Sequence, residues 1–302
     1  MSTESNNWHA YMIICHTNFD QLKLLLEMLD DRRNDIYLHI DKKAKGYSVD
    51  EICRHVKNAG ITVVKPMSVS WGGDSQIRVE IRLLKEATKT VHGHYHLISG
   101  MDLPIKTQDE IHRFFGEHGD TDFVAMEKDN PHNINKDFLY RVDYYYLFQN
   151  RMKGNRDGRL AQLQKKHLRR QNKRGVCRSK KSGLDFVMGS NWFSITHRTA
   201  VYLLEAFQRY RRTFRYTICA DEVFLQTLIA ASPYADSVED NNLRMIDWFR
   251  GNPYTFREED FDSLMNAPQD KMFARKFDER TDGKIIRKIH DHLLKTAQVV
   301  NK

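Results

Sequence analysis

The first hundred residues of this 302-residue chain alternate, four times over, between apolar runs of strand length and stretches with helical periodicity. Ala10–Cys15 (AYMIIC), Ile36–Ile40 (IYLHI), Ile61–Lys65 and His94–Ser99 are the strand candidates. Between the first two, Leu22, Leu25, Leu26 and Leu29 recur at helical spacing. Ser48 and Glu51 form a capping box ahead of Ile52, Cys53 and Val56. Ile77, Ile81, Leu84 and Val91 mark one side of a long helix. Strands separated by helices pair in parallel through right-handed crossovers, so the pattern predicts an α/β fold with a mostly parallel central sheet flanked by helices.

A parallel sheet brings the C-terminal ends of its strands to one edge, and that edge is where such folds bind ligands. His16, Asp41, Trp71-Gly72-Gly73 and Gly100-Met101-Asp102 each come at or just after a strand end. Four polar or glycine-rich sets at equivalent positions predict a cleft there. The stretch HLISGMDLPIKTQDEI, residues 96–111, shows the layout best: a strand breaks at Gly100, presents Asp102, turns at Pro104, and enters a helix through the Thr107/Glu110 capping box. The loop after the first strand has no G-x-G-x-x-G, and the chain has neither a P-loop nor a G-x-S-x-G elbow. Dinucleotide, P-loop and serine-elbow chemistries are therefore disfavoured.

Further along, Phe123–Met126 reads as a strand followed by Glu127. Tyr140, Arg141, Tyr144, Tyr145, Tyr146 and Phe148 then cluster, which fits either packing or a sugar-stacking surface. Asn191–Thr196 is another strand, and Val201, Leu204 and Phe207 line a helix. Asp221 and Glu222 open a helix whose Val223, Phe224 and Leu228 point inward; on residues alone, such acids serve the helix dipole and cap. Leu243–Asp247 is a last strand, followed by Trp248, Arg250, Gly251 and Pro253, and Ile285, Ile286, Ile289 and Leu293 give a C-terminal helix.

Charge is concentrated in one place. Residues 151–181 hold 13 Lys or Arg against one Asp, a formal +12 in a chain of net +8, so the remainder sums to −4. That run reads as a solvated loop or helix. A nucleic-acid-binding use of it predicts salt-sensitive affinity but leaves the sheet edge unexplained. Contact with anionic lipid or an anionic polysaccharide acceptor is the other expected use. The polar N-terminus MSTESNNWHA, the lack of any membrane-length apolar run, and four scattered cysteines predict a cytoplasmic protein, peripheral at most to the inner face of the membrane.

Several ordered motifs resemble the core-2/I-branching β-1,6-N-acetylglucosaminyltransferase family, which includes the peptide O-xylosyltransferases. They are AYMIICH (10–16), YLHIDKK (37–43), VSWGG (69–73), SGMDLPIKT (99–107), GSNWFSITHR (189–198), ADEVFLQTL (220–228) and ARKFD (274–278). The chain looks like a short, soluble bacterial-type member. The resemblance implies one GT-A-like domain over 1–302, with a nucleotide-sugar-binding half at 8–126, the basic insert at 151–181, and an acceptor and catalytic half at 186–295. It implies inverting transfer from a UDP-sugar, GlcNAc first and xylose second, to a hydroxyl of a glycan or polysaccharide, with no divalent metal and no cofactor. Glu222 is then the general base and Asp221 the helix cap. Lys276 and Arg250, with Arg257 as rival, contact the diphosphate. His16 and Asp41 fall at the uridine and ribose end, with Trp71 and Gly72 also on the donor side. Gly100, Met101 and Asp102 lie beneath the donor sugar, and Glu127 and Arg141 lie near the acceptor. Asp120-Thr121-Asp122 and Asp260-Phe261-Asp262 read as chance pairs. The rival reading, a metal-dependent GT-A transferase, predicts an Asp pair at the diphosphate and activity abolished by EDTA.

Overall fold

The computed structural model describes residues 8–152 and 158–300. The polar N-terminal stretch 1–7 and part of the basic run, 153–157, lie outside the described residues. Strands β1 (His9–Cys15), β2 (Asn34–Ile40), β3 (Gly60–Val63) and β4 (His94–Ser99) alternate with helices α1 (Phe19–Met28), α2 (Val49–Cys53) and α3 (Ser75–Ala87). The short strand β5 (Asp102–Pro104), helix α4 (Gln108–Glu117) and β6 (Asp122–Val124) follow, then α5 (Pro131–Asn135), α6 (Tyr140–Asp143) and α7 (Arg159–Lys173). The chain ends with β7 (Phe193–Thr196), α8 (His197–Phe214), α9 (Asp221–Ala230), β8 (Val238–Glu239), β9 (Arg244–Ile246), α10 (Phe261–Met265), β10 (Phe273–Arg275) and α11 (Glu279–Val300).

The central sheet has the order β3-β2-β1-β4-β7-β6-β8. The four expected strands are parallel, β7 runs against both β4 and β6, and β8 is parallel to β6. Because β7 is reversed, its N-terminal approach, Gly189 to Trp192, reaches the same edge as the C-terminal ends of β1, β2, β4 and β6. Alternation along β1 divides the core. Tyr11, Ile13 and Cys15 face α1, α4 and α11, whereas Ala10 and Met12 face α3, α8 and α9.

Leu243–Asp247 is not a strand of the central sheet, as the linear reading implied. Its core, β9, belongs to a separate three-stranded sheet of order β5-β10-β9, with β10 antiparallel to β5 and parallel to β9. Buried Arg244 docks this sheet on the large one. Its guanidinium donates to the carbonyls of Leu97 and Phe193 at 2.9 Å and to Ser194 Oγ at 3.0 Å. Burial pushes that guanidinium down to about 9.

Helix ends follow their local chemistry. Thr107 and Glu110 make the reciprocal capping box. Ser48 accepts from the Glu51 N–H, while the Glu51 carboxylate turns to Lys23. The long helix ends earlier than its apolar stripe suggested: Val91 lies beyond α3 and is exposed, and the buried face carries Val79, Leu83 and the acid Glu80. Asp122 is buried and accepts from the Thr196 N–H and from three hydroxyls, a packing role at the start of α8. Asp260 is likewise engaged, by Arg250 and the Arg257 N–H.

Candidate active site

The site is assembled where α9 meets the sheet edge. Glu222 sits in the first turn of α9, and its backbone carbonyl accepts from the Gly189 N–H at 2.9 Å. Its side chain is 42% exposed. Arg141, on α6, donates from Nη1 to Glu222 Oε2 at 2.5 Å and to the Cys219 carbonyl at 3.0 Å. The Ile218 N–H in turn donates to the Arg141 carbonyl. Arg141 is raised above the ordinary guanidinium range: burial opposes this, but the Glu222 carboxylate outweighs it.

Asp221 does not cap the helix. No side chain closes the N-terminus of α9 by hydrogen bonding, and the Asp221 carboxyl turns inward to Gln76 Nε2 on α3 at 2.7 Å. Side chains at the first helical position are free to rotate away from the axis, and here the interior supplies a better donor. Burial, reinforced by the charge of Glu222, pushes Asp221 up to about 7. Gln76 also accepts from the Gly72 N–H. Gly72 has φ +69°, the Cys219 N–H donates to its carbonyl, and Gly73 bridges to Ile218. The Trp71-Gly72-Gly73 turn is thus tied directly to the segment that delivers Glu222, with the Trp71 ring 69% exposed beside it.

The second group lies on the small sheet. Asp102 and Arg275 are register partners across β5 and β10, and Arg275 Nη1 is 3.5 Å from Asp102 Oδ1. Asp102 Oδ2 accepts from the Ser99 N–H. The Arg275 guanidinium also lies 4.0 Å over the Trp192 ring. Burial lowers Arg275 against the opposing pull of Asp102. Lys276 follows it; its backbone bonds to Tyr254 and Phe256, and its ammonium makes no hydrogen bond or ion pair among the described residues. The Phe277 N–H donates to the Met101 carbonyl. A Cβ at Gly100 would stand 2.8 Å from Cys15 Sγ, so that strand end admits only glycine without a shift.

Hydrogen bonding, stacking, ion pairing and chain continuity together therefore link Glu222, Gly189, Trp192, Arg275, Asp102 and Met101. Reading the sequence alone missed Arg275, although it stands beside Lys276 in the same quoted motif. It also missed Trp192 and Gln76, whose partners are remote in sequence. Arg250 is engaged elsewhere, with Asp247 at 2.5 Å and Asp260 at 2.7 Å, and stacks 4.0 Å over Tyr254. The Tyr254 carbonyl accepts from the Lys276 N–H. Arg257 is exposed, its N–H donating to Asp260. Asp41 accepts from the N–H groups of Lys43 and Val69, shaping the turn after β2. His16 is exposed, next to a cavity of about 270 Å³ lined by Asn18, Phe19, Lys23, Tyr47 and Glu279. Glu127 has φ +47°, accepts from Asn130 Nδ2, and lines a second, more open concavity with Asp240 and His132. Neither of these hollows contains Glu222. Among the described residues, no group of three or more His, Cys, Asp or Glu side chains is gathered to hold a metal ion.

A parallel-sheet edge that presents one half-exposed carboxylate, an arginine against it, and a Lys–Arg pair nearby has the layout of a group-transferring α/β enzyme. The model of the Core-2/I-branching enzyme family matches residues 9–265, and the chain belongs to that family of glycosyltransferases. Xylosyltransferase 2 of Rattus norvegicus is 25% identical over 311 residues, covering 94% of this chain and 33% of the relative. Xylosyltransferase 1 of Homo sapiens is 24% identical, covering 94% and 30%. The chain thus spans about a third of the length of the curated relatives it matches. The apo crystal structure of mouse xyloside xylosyltransferase 1 aligns over 88% of this chain and 96% of its own, at 10% identity and a TM-score of 0.39, too low to carry inference between the two.

Proposed function

We propose that this chain transfers a sugar from a UDP-sugar to an acceptor hydroxyl in a single inverting displacement, with Glu222 as general base. The acceptor oxygen attacks the anomeric carbon, the bond from that carbon to the UDP oxygen breaks, and Glu222 takes the acceptor's proton. Arg141 orients the base. Lys276 and Arg275 offset the charge that develops on departing UDP, a task a divalent cation performs in the rival reading. His16 and Asp41 serve the uridine end with Trp71 and Gly72 beside them, and Gly100, Met101 and Asp102 lie beneath the sugar. Glu127 faces the acceptor side.

The observation that carries this reading is the half-exposed Glu222 carboxylate, on a residue whose backbone carbonyl is bonded to Gly189, just ahead of the Trp192 ring that stacks on Arg275, which pairs with Asp102 and precedes Lys276. The named relatives are xylosyltransferases, which supports testing UDP-xylose beside UDP-GlcNAc, the donor expected first from the motifs. A screen of UDP-sugars for transfer and hydrolysis, run with and without EDTA, tests donor class and metal use together. Turnover that survives EDTA is expected. Loss in EDTA with recovery on added Mn²⁺ would favour the metal-dependent alternative, and failure to bind UDP at all would overturn the reading.

The basic segment has a place in this scheme. The α7 residues Gln164 and Gln171 are buried and hold the backbone of Tyr145 and Phe148, ahead of Gln149 and Asn150, which bond to Trp71 and Ser70. Lys165, Lys166, Arg169, Arg170 and Lys173 remain exposed on the same helix. Among the described residues no helix is long and apolar enough to cross a membrane. The exposed cations suit peripheral attachment to an anionic bilayer. Flotation with anionic liposomes, lost when these five are changed to Gln, is the expected result.

A further inference from the structure

Behind Glu222 lie two buried carboxyl groups on neighbouring helices, and Gln76, one helical turn before Glu80, already reaches Asp221. Glu80 of α3 and Asp221 of α9 are 3% and 5% exposed, and the two helices pack together. Among the described residues, Glu80 Oε2 and Asp221 Oδ1 are both buried without a hydrogen-bond partner, while Asp221 Oδ2 is taken by Gln76 Nε2. Two ionised carboxyl groups buried there would leave both orphan oxygens unsatisfied and in repulsion. One proton removes both costs.

We propose that Glu80 is a protonated positioning residue that donates its hydrogen to Asp221 Oδ1, so that Glu80 and Gln76 together clamp Asp221 and thereby fix the first turn of α9 and the carboxylate of Glu222. The electrostatics agree with this assignment. Burial, and then the charge of Asp221, drives Glu80 well above the usual carboxylate range. On Asp221, burial reinforced by the charge of Glu222 outweighs the opposing pull of Arg141. Gln76 makes the clamp a link as well, because its Oε1 holds the Gly72 N–H of the exposed Trp71 turn. The function assigned to Glu80 rests on Glu222 acting as the base; its protonation does not.

Two measurements separate those points. Infrared spectra of protein carrying ¹³C-carboxyl glutamate are expected to show a protonated-carboxyl band at neutral pH that is absent in Glu80→Gln. No such band in the parent protein would overturn the proposal whatever the enzyme does. In kinetics with the donor found by the screen, Glu80→Leu should lower kcat about tenfold or more while UDP affinity changes less than about twofold. Glu80→Gln, a neutral side chain that still donates, should keep at least about half of kcat. Equal losses in the two variants, or none in Glu80→Leu, would overturn the positioning role. Should Glu80→Leu fail to fold, Gln76→Leu removes the other arm of the clamp and carries the same expectation. Normal turnover in Glu222→Gln would remove the base assignment and leave the infrared result standing.

Discussion

Arg141 Nη1 and Glu222 Oε2 stand 2.5 Å apart, with the arginine side chain 18% and the glutamate 42% exposed. The pair fixes one oxygen of the expected base, and it leaves the outer face of the carboxylate open to an acceptor. Glu222→Gln should lower turnover by about 10²- to 10⁴-fold, because the amide cannot take a proton, with UDP affinity nearly unchanged. Arg141→Ala should lower kcat more than it weakens UDP binding. Steady-state kinetics beside calorimetric titration with UDP check both.

Arg275 and Lys276 are adjacent in sequence but differ in burial, so their variants should separate. Lys276→Ala should weaken UDP binding and slow transfer with little change in thermal stability, since its ammonium has no protein partner among the described residues. Arg275→Ala leaves Asp102 buried opposite an empty place and should cost about 3 kcal/mol of stability as well as activity. Arg250→Ala should spare UDP affinity if its pairing with Asp247 and Asp260 persists when donor binds. Thermal melts and UDP titrations on the three variants distinguish the roles.

A cluster of buried histidines makes the fold acid-sensitive. His9 stacks on His112 at 4.0 Å and lies 4.9 Å from His96, which is beside His94. Burial, then the neighbouring imidazoles, lowers His9 and His96 well below the usual histidine range, and burial brings His94 down to about 4. The unfolded chain therefore binds these protons first. Stability should be full above pH ~6.5 and fall as pH drops towards ~4, by ~2 kcal/mol per histidine at pH 5. Among the described residues, neither ring nitrogen of His9 has a hydrogen-bond partner. His9→Phe should remove one such increment from the difference between urea unfolding at pH 7 and at pH 5.

Gly189 is the position where backbone meets backbone behind the base. A Cβ there would lie 1.8 Å from the Ala125 carbonyl oxygen, which has no rotamer to yield. Gly189→Ala should cost about 3 kcal/mol or more and, because the Gly189 N–H holds the Glu222 carbonyl, should lower kcat in whatever protein folds. A melting temperature within a few degrees of the parent's would contradict this.

Much of the architecture was legible in the residues because its causes are local. Apolar runs of strand length and period-3.6 patterns marked β1, β2, β4, α1 and α11, and the Thr107 box marked the start of α4. Strand alternation with helices was enough to predict that His16, Asp41, Gly72 and Gly100 share one edge. The site's detailed pairing was hidden because its partners are far apart in the chain. Asp221 and Gln76 are 145 residues apart, Arg275 meets Asp102 only through the antiparallel register of β10 on β5, and Glu80 goes unmarked in the linear pattern although it is buried. Local propensity determined which segments became strands and helices in this protein. Which carboxyl faces solvent and which is buried beside another was decided only by packing, because the cost of desolvating a charge does not exist until the second helix arrives.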